Sequence, residues 1–358
     1  MANRFWVATT GDWDNTAGSK WSLTSGGPGG AAVPTSSDDV FFDSGSSTNV
    51  NLSSLGGSTP TCKNIDFTGY THTFSGSTEL HVYGSWTFGK DMTNNFTQQI
   101  WFFGEVGKTN YITSNGISFK CSTWIGTEVT VPIYKLADNF FNTSSFFFVS
   151  GSFDANGKNV TASGSGVYGI CDVGVSLGSG TWTLTGTSPW NAEMADPYIL
   201  TLSPGGSTLK FTHNGVAAKS MVVNGTESYN KVWVNTTGAG VFNFTANRVT
   251  NNFNINELQI DAGRSVTFTS ASTTNLSTFS TIGIPGSPIT MRSSVSGATY
   301  TFSKTLGLVA SDWLDIKDCH ATGGARWYAG ANSTNTGANN TGWVFADYKK
   351  SMPSHFIN

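Results

Sequence analysis

The sequence predicts an all-β fold in which short strands stack into a parallel β-solenoid. Helical patterns are nearly absent from the 358 residues, and apolar residues alternate or form short runs bounded by Gly, Ser, Asn or Thr. With 25 Phe, 12 Trp and 10 Tyr, the chain concentrates its apolar area in large rings that fill a core. Only 11% of its residues are charged, so hydroxyls and amides must cover the faces.

The strand-like runs follow one another without an intervening helix. They include 79–83, 86–88, 100–103, 181–185, 209–212, 231–234, 241–244, 258–260, 266–268 and 300–302. A loose echo of about 20–25 residues accompanies them, as expected for the turns of a solenoid. One copy, residues 150–164, reads as strand, Asn156-Gly157 turn and strand. Tandem β-sandwich or jelly-roll domains are the alternative architecture.

Four segments are predicted. Residues 1–60 and 311–348, rich in Trp, Gly and Asp, are expected to cap the two ends of a solenoid body at 61–310, and residues 349–358 form a tail. The stretch 90–145 departs from the clean strand pattern and predicts a loop excursion or an irregular turn.

Charge and hydropathy exclude several classes of partner. The net charge is −3 and Lys349-Lys350 is the only adjacent basic pair, so nucleic-acid binding is not expected. No apolar run is long enough to insert into a membrane. The first residues lack the apolar stretch of a secretion signal. Either such a signal lies outside this sequence or the protein is assembled in the cytoplasm and released by lysis.

Both ends and the centre resemble a known group. The W…GDW…W run leading to VPTSSDDV at 33–40, the pieces SFDANGKNVTAS and GSGTWTLTG, and the ending WYAGANS…NNTGW at 327–343 resemble phage structural proteins and bacterial adhesin-like proteins. The resemblance implies a right-handed β-helix. It implies no catalytic residues.

Acidic residues are predicted to be structural. Asp38 and Asp39 are neighbours whose side chains point to opposite sides of a strand, and an Asp of this pair is expected to cap backbone amides. Asp312, Asp315 and Asp318 are expected to be solvated acids near the terminal cap, because calcium binding or catalysis would need oxygens from other turns.

Histidines and cysteines show no metal or catalytic spacing, and no cofactor is predicted. His81 alternates with Leu80 and Val82 and is expected to face outward. The other histidines are scattered, at His72, His213, His320 and His355. The four cysteines, expected to be buried free thiols, are Cys62, Cys121, Cys171 and Cys319.

Aromatic residues are the candidates for ligand contact. A surface on which sugars stack would draw on Trp101, Trp124, Trp182, Trp190, Trp233, Trp327 and Tyr328. Of these, Trp182 and Trp233 are simplest as core or stacking residues. Trp327 and Tyr328, beside Arg326, are the residues predicted to be exposed and to contact glycans, although capping of the solenoid end is an alternative role for them.

These observations predict a non-enzymatic virion protein, a tail or head fibre or surface-decorating subunit that adheres to host-surface glycans. Its expected partners are other virion proteins and copies of itself, a homotrimer among them. One alternative is a polysaccharide-degrading tailspike, which needs two carboxylates about 5–10 Å apart in a groove. The other is a secreted bacterial adhesin on the cell surface.

Overall fold

The computed structural model describes residues 2–9, 12–13, 18–53, 58–105, 107–128, 130–246, 252–337 and 339–348. The predicted tail 349–358, with Lys349, Lys350 and His355, lies outside these ranges. All regular elements in the described ranges are strands, and no helix there is long and apolar enough to cross a membrane.

The strands are short. The first twenty are β1 Asn3–Trp6, β2 Trp21–Ser22, β3 Asp39–Phe41, β4 Val50–Leu52, β5 Thr61–Cys62, β6 Ile65–Asp66, β7 Thr73–Gly76, β8 Leu80–Val82, β9 Trp86–Thr87, β10 Thr93–Asn94, β11 Ile100–Phe102, β12 Thr109–Thr113, β13 Thr123–Ile125, β14 Ile133–Leu136, β15 Phe140–Phe141, β16 Ser145–Phe148, β17 Gly151–Asp154, β18 Val160–Ala162, β19 Gly164–Val167 and β20 Val173–Ser176. The others are β21 Thr181–Leu184, β22 Trp190–Asn191, β23 Leu200–Ser203, β24 Thr208–Phe211, β25 Lys219–Val223, β26 Ser228–Val234, β27 Phe242–Ala246, β28 Asn252–Ile260, β29 Ser265–Phe268, β30 Thr273–Thr281, β31 Ile289–Ser293, β32 Tyr300–Ser303, β33 Leu308–Ala310, β34 Leu314–Ile316, β35 Cys319–Thr322, β36 Arg326–Tyr328, β37 Thr334–Asn335 and β38 Trp343–Val344.

The fold is a right-handed parallel β-solenoid, as the sequence and its resemblance predicted. Its chain divides into two compact units: a first unit of residues 1–180 and 194–203, and a second unit of residues 181–193 and 204–358. Among the described strands only β1 and β2 pair antiparallel, so the sandwich alternative is excluded.

In the first unit, each turn of the chain adds strands to parallel ladders. The longest is a ten-stranded sheet in the order β2-β1-β3-β6-β9-β12-β14-β17-β20-β23. The second ladder runs β5-β8-β11-β13-β16-β19, and the remaining strands form two separate ladders, β4-β7-β10 and β15-β18. Neighbours in each ladder come from successive turns, so side chains at equivalent positions form rows.

The second unit repeats this plan. Its ladders run β22-β25-β27-β29-β31-β34-β37, β21-β24-β26-β28-β30-β32-β35 and β33-β36-β38, all of them parallel.

Rings stacked between turns fill the interior of both units. In the first unit the rings of Phe42 and Phe67 stack at 4.7 Å; in the second, Phe268 stacks on Phe244 at 4.6 Å and on Tyr300 at 4.9 Å. These five residues are fully buried or nearly so. The spacing of the rings matches that of hydrogen-bonded strands, about 4.8 Å, so the ladders and the aromatic core reinforce each other.

The predicted Asn156-Gly157 turn is confirmed, and its role is to join ladders. Asn156 and Gly157 have φ of 53° and 70°, a conformation that Asn and Gly tolerate best. The Asp154 carboxylate accepts the Asn156 N–H at 2.7 Å. The strands on either side, β17 and β18, belong to different ladders, so the turn is a corner of the solenoid rather than a hairpin.

Of the two expectations for 90–145, the irregular turn is wrong, whereas a longer loop is present: seven residues connect β13 to β14, against two between β16 and β17. Strands β11 to β14 lie in this stretch and pair in register with the turns before and after them. The alternation of apolar and polar residues is hidden here because aromatic residues occupy outward as well as inward positions of β11, β13 and the following β16.

Candidate functional site

A row of aromatic side chains lies on the outer face of the first unit. In β11, Ile100 and Phe102 are buried at 1% and 0% exposure, so Trp101 between them points outward. Trp124 in β13 and Phe147 in β16 occupy the same position in the next two turns. Trp101 pairs with Trp124 and Trp124 with Phe147, each a step of 23 positions, and His81 in β8 pairs with Trp101 on the other side.

Ring contacts hold this row in place. The rings of Trp101 and Trp124 stack at 4.9 Å with 12° between their planes, and Phe147 lies 4.5 Å from Trp124. The Trp101 Nε1–H also donates to Gln99 Oε1 at 3.2 Å. Tyr168 packs edge-on against Trp124 at 5.4 Å. Trp124 is therefore in contact with three rings. Trp101 contacts the rings of Trp124 and Phe103, and its remaining surface borders an open space.

That space is a cleft of about 510 Å³, which we call the aromatic cleft. It is lined by Glu79, His81, Trp101, Phe103, Thr127, Glu128, Val149, Tyr168 and Ile170. Phe103 lies 4.6 Å from the His81 ring and 4.9 Å from the Tyr83 ring, so its position is also fixed by contacts. Tyr168 is 54% exposed. An open apolar surface bordered by a few polar groups is typical of a ligand site.

The charge of the aromatic cleft is negative. Glu79 and Glu128 line it, and no Lys or Arg occurs among its described lining residues. His81 Nε2 lies 3.0 Å from Glu79 Oε1. Burial lowers the pKa of His81 by more than the neighbouring Glu79 raises it, so the imidazole is neutral at pH 7 and donates its proton to the carboxylate. His81 therefore orients Glu79 without neutralising it.

A second cleft, of about 390 Å³, lies in the second unit and has a different chemistry. Its outward row runs Ser228, Asn254, Asn275 and Ser303, paired turn by turn. The Asn275 amide donates to Asn254 Oδ1 at 2.9 Å, and the Asn254 amide donates to the Glu227 carbonyl oxygen at 3.3 Å. These polar groups are used to bond one turn to the next.

The structure corrects the expectation that Trp327 is exposed. It is 2% exposed, its Nε1–H donates to the Thr322 carbonyl oxygen at 3.0 Å, and its ring lies 5.1 Å from that of Trp343. Trp327 points inward and packs on the buried ring of Phe302 at 6.2 Å, and a buried ring offers no face to a glycan. Tyr328 is half-buried and Arg326 is exposed, so these two residues flank a core position.

The remaining tryptophans divide between core and surface. Trp182 and Trp190 are buried, in agreement with the predicted core role of Trp182. Trp233 is not a core residue: Lys210 Nζ lies 4.1 Å from its ring centroid and its Nε1–H donates to Asp261 Oδ1 at 2.8 Å. On the outside of the second unit, the Trp233 ring face is thus covered by a cation, and its N–H is bonded to a carboxylate.

The capping role predicted for the Asp38-Asp39 pair is confirmed, and Asp38 performs it. Asp38 is 5% exposed and accepts the backbone N–H groups of Ala2 and Thr35 and the Thr35 hydroxyl, at 2.8, 3.1 and 2.8 Å. Burial raises the pKa of Asp38, but these hydrogen bonds and Arg4 at 3.6 Å outweigh it and leave the pKa lowered. The carboxylate ties the start of the first unit to the turn before β3.

Asp312, Asp315 and Asp318 also have structural partners. Asp312 accepts the Asn332 backbone N–H at 3.0 Å, Asp315 pairs with Arg292, and Asp318, only 3% exposed, accepts the Gly297 N–H at 2.9 Å. Each of the three carboxylates therefore binds a different partner. Asp318 was expected to be solvated, but it is buried.

Cysteines and histidines provide no metal centre in the described part of the chain, where no group of three or more His, Cys, Asp or Glu converges. Cys62, Cys121 and Cys319 are buried free thiols as predicted, and burial raises the pKa of Cys121 and Cys319 to about 12. Cys171 is only half-buried. It follows Ile170, at the edge of the aromatic cleft.

Sequence reasoning named Trp101 and Trp124 among many tryptophans but did not connect them with Phe103, Phe147 or Tyr168. A signal was present: an aromatic residue stands in the middle of three triplets, Ile100-Trp101-Phe102, Thr123-Trp124-Ile125 and Phe146-Phe147-Phe148. Comparison of the chain with protein-family models, with curated proteins and with solved structures finds no match.

Proposed function

We propose that this protein is a non-enzymatic structural component of a phage particle, a fibre or surface-decorating subunit that adheres to host-surface glycans through the aromatic cleft. The virion assignment rests on the resemblance of both chain ends and the centre to phage structural proteins. Adhesion rests on one observation, the outward aromatic row that borders an open cleft on a β-solenoid.

The chemistry of the cleft suits a sugar. The C–H face of a pyranose ring is apolar and packs on an aromatic ring, while its hydroxyls need polar partners at the edge. Trp101, Phe103 and Tyr168 supply rings, and Glu79, Thr127 and Glu128 supply acceptors. Ring contacts fix Trp101, Phe103 and Tyr168 before a ligand arrives, which reduces the entropy lost on binding.

Self-association belongs to the proposal, because several copies on one particle would raise a weak single-site affinity by avidity. On the outer side of the ten-stranded sheet, the exposed apolar residues Val131, Ile133 and Ile199 line an open groove of about 590 Å³. We expect the purified protein to be larger than its 38.0 kDa chain in light scattering. A monomer at all concentrations would contradict this part.

The test of adhesion compares two outward tryptophans. Binding of the purified chain to immobilised host envelope polysaccharide is measured for the wild type, Trp101→Ala and the control Trp233→Ala. Because Trp101 lines the cleft and Trp233 does not, we expect Trp101→Ala to weaken binding about tenfold or more, as for a central contact residue, and Trp233→Ala to bind as the wild type does. Equal binding by all three would refute the aromatic cleft as the adhesive site.

A glycan-cleaving enzyme is the second candidate, favoured by the presence of Glu79 and Glu128 in one cleft. Incubation with host polysaccharide, followed by measurement of new reducing ends, separates the two functions. Release of ends by the wild type and not by Glu128→Gln would replace the non-enzymatic proposal. Localisation is tested by labelling purified particles with antibody, which we expect to bind virions rather than the uninfected cell surface.

A further inference from the structure

We propose that the aromatic cleft recognises sugars that carry a free amino group, and that it discriminates against acidic glycans. This inference rests on the proposed adhesive function and specifies its ligand class.

The first observation is the charge of the lining. Glu79 and Glu128 contribute two carboxylates, and the one basic side chain among the described lining residues, His81, is neutral and already bonded to Glu79. Outside the lining, Lys63, which borders a groove together with Tyr83, is paired with Glu105 at 3.2 Å. An anionic sugar in this cleft would therefore meet like charge with no cation to offset it.

The second observation is the combination of rings with these acids. An ammonium group is attracted both to the ring face of Trp or Tyr and to a carboxylate. A neutral hydroxyl group is attracted to each of them more weakly. Trp101 and Tyr168 line the same cleft as Glu128, and Tyr168 and Glu128 are both exposed. A protonated amino sugar can thus stack through its ring and place its charge next to rings and carboxylates together.

The outward tryptophan of the second unit offers an internal example. Lys210 Nζ sits 4.1 Å from the Trp233 ring centroid, and the indole N–H of that ring is bound by Asp261. There the ammonium group comes from the chain itself. In the aromatic cleft no described lining residue supplies one, so the position is open to a ligand cation.

The experiment uses three oligosaccharides of equal length: an oligomer of glucosamine, the same oligomer N-acetylated, and an oligomer of galacturonic acid. Binding to the full chain is measured by calorimetry at mildly acidic pH, where the amine is protonated. We expect the amine oligomer to bind about fivefold or more tightly than the N-acetylated one, and the acidic oligomer to bind most weakly. Among the three, only binding of the amine oligomer is expected to weaken when salt is added.

Two variants locate the effect. Glu128→Gln is expected to weaken binding of the amine oligomer about two- to fivefold and to leave binding of the N-acetylated oligomer unchanged. Asp91→Asn, which removes an exposed acid that does not line the cleft, is expected to change neither. Equal losses in both variants would attribute the preference to overall charge and overturn the inference.

The outcomes also separate this inference from adhesion itself. If the N-acetylated oligomer binds as tightly as the amine oligomer and Trp101→Ala abolishes both, the amino-sugar preference is refuted while glycan adhesion stands. If none of the oligomers and no host polysaccharide binds, both are refuted.

Discussion

Both units carry a row of outward side chains at equivalent positions of successive turns, but the row is aromatic in the first unit and polar in the second. In the first unit, equivalent positions of successive turns carry His81, Trp101, Trp124 and Phe147, and the rings of the last three touch. In the second unit they carry Ser228, Asn254, Asn275 and Ser303, where the two asparagine amides are linked by a hydrogen bond.

The difference shows what a solenoid leaves free to vary. Inward positions must fill the core, but an outward row needs only side chains that tolerate neighbours about 4.8 Å away. Amides meet that need and stay hydrated. Aromatic rings meet it and also leave apolar surface exposed, which is costly unless something binds there. The exposed aromatic row is therefore expected to be a binding surface.

The largest effect is expected from the inward rows, which should behave alike in both units. Phe119 in the first unit and Phe268 in the second are fully buried, and each stacks on a neighbouring ring, at 5.1 and 4.6 Å. We expect Phe119→Ala and Phe268→Ala each to lower the free energy of unfolding by about 3–5 kcal/mol. Denaturant unfolding measures this, with Phe→Leu at each position as the control. A loss confined to one unit would break the comparison.

An intermediate effect is expected from the outward rows, and here the units should differ. Trp124 is packed against Trp101, Phe147 and Tyr168, so Trp124→Ala should cost about 2 kcal/mol. Asn275→Ala removes one amide hydrogen bond and should cost about 1 kcal/mol or less. The same unfolding measurement applies to both, and equal losses would show that the rings contribute no more than the amides.

The smallest effect is a pH dependence that only the aromatic face carries. An unfolded His81 takes up a proton as pH falls below about 6.5, whereas burial lowers its pKa in the folded chain. Between the folded pKa and about 6.5 the unfolded state binds more protons, so stability falls as pH falls through that range and is unaffected by His81 above it.

The measurement is the difference in unfolding free energy between the wild type and His81→Gln from pH 8 to pH 5. We expect the variant to lose less stability on acidification. Asn275→Ala serves as the control, since the amide row has no titratable group, and it should follow the wild type in parallel. An identical pH profile for all three proteins would rule out the proposed role of His81.

The sequence by itself determined the class of fold and much of its local structure. Short alternating runs bounded by Gly, Ser, Asn and Thr required strands, because their period of two fits no helix. The Asn156-Gly157 corner and the bonds from Thr35 to Asp38 followed from local rules, since both depend on the backbone within a few residues. The bond from the Ala2 N–H to Asp38 spans 36 positions and did not. The outward orientation of His81 followed from its buried neighbours Leu80 and Val82.

Only the tertiary structure decided which rings are exposed and which of them meet. Trp327 and Trp101 both lie in the middle of short strands, yet one is buried and the other faces outward, because the side on which a strand packs depends on the whole turn. The aromatic cleft joins residues from Glu79 to Ile170. Their proximity comes from the parallel stacking of successive turns, which brings positions about twenty residues apart into contact and which no local pattern encodes.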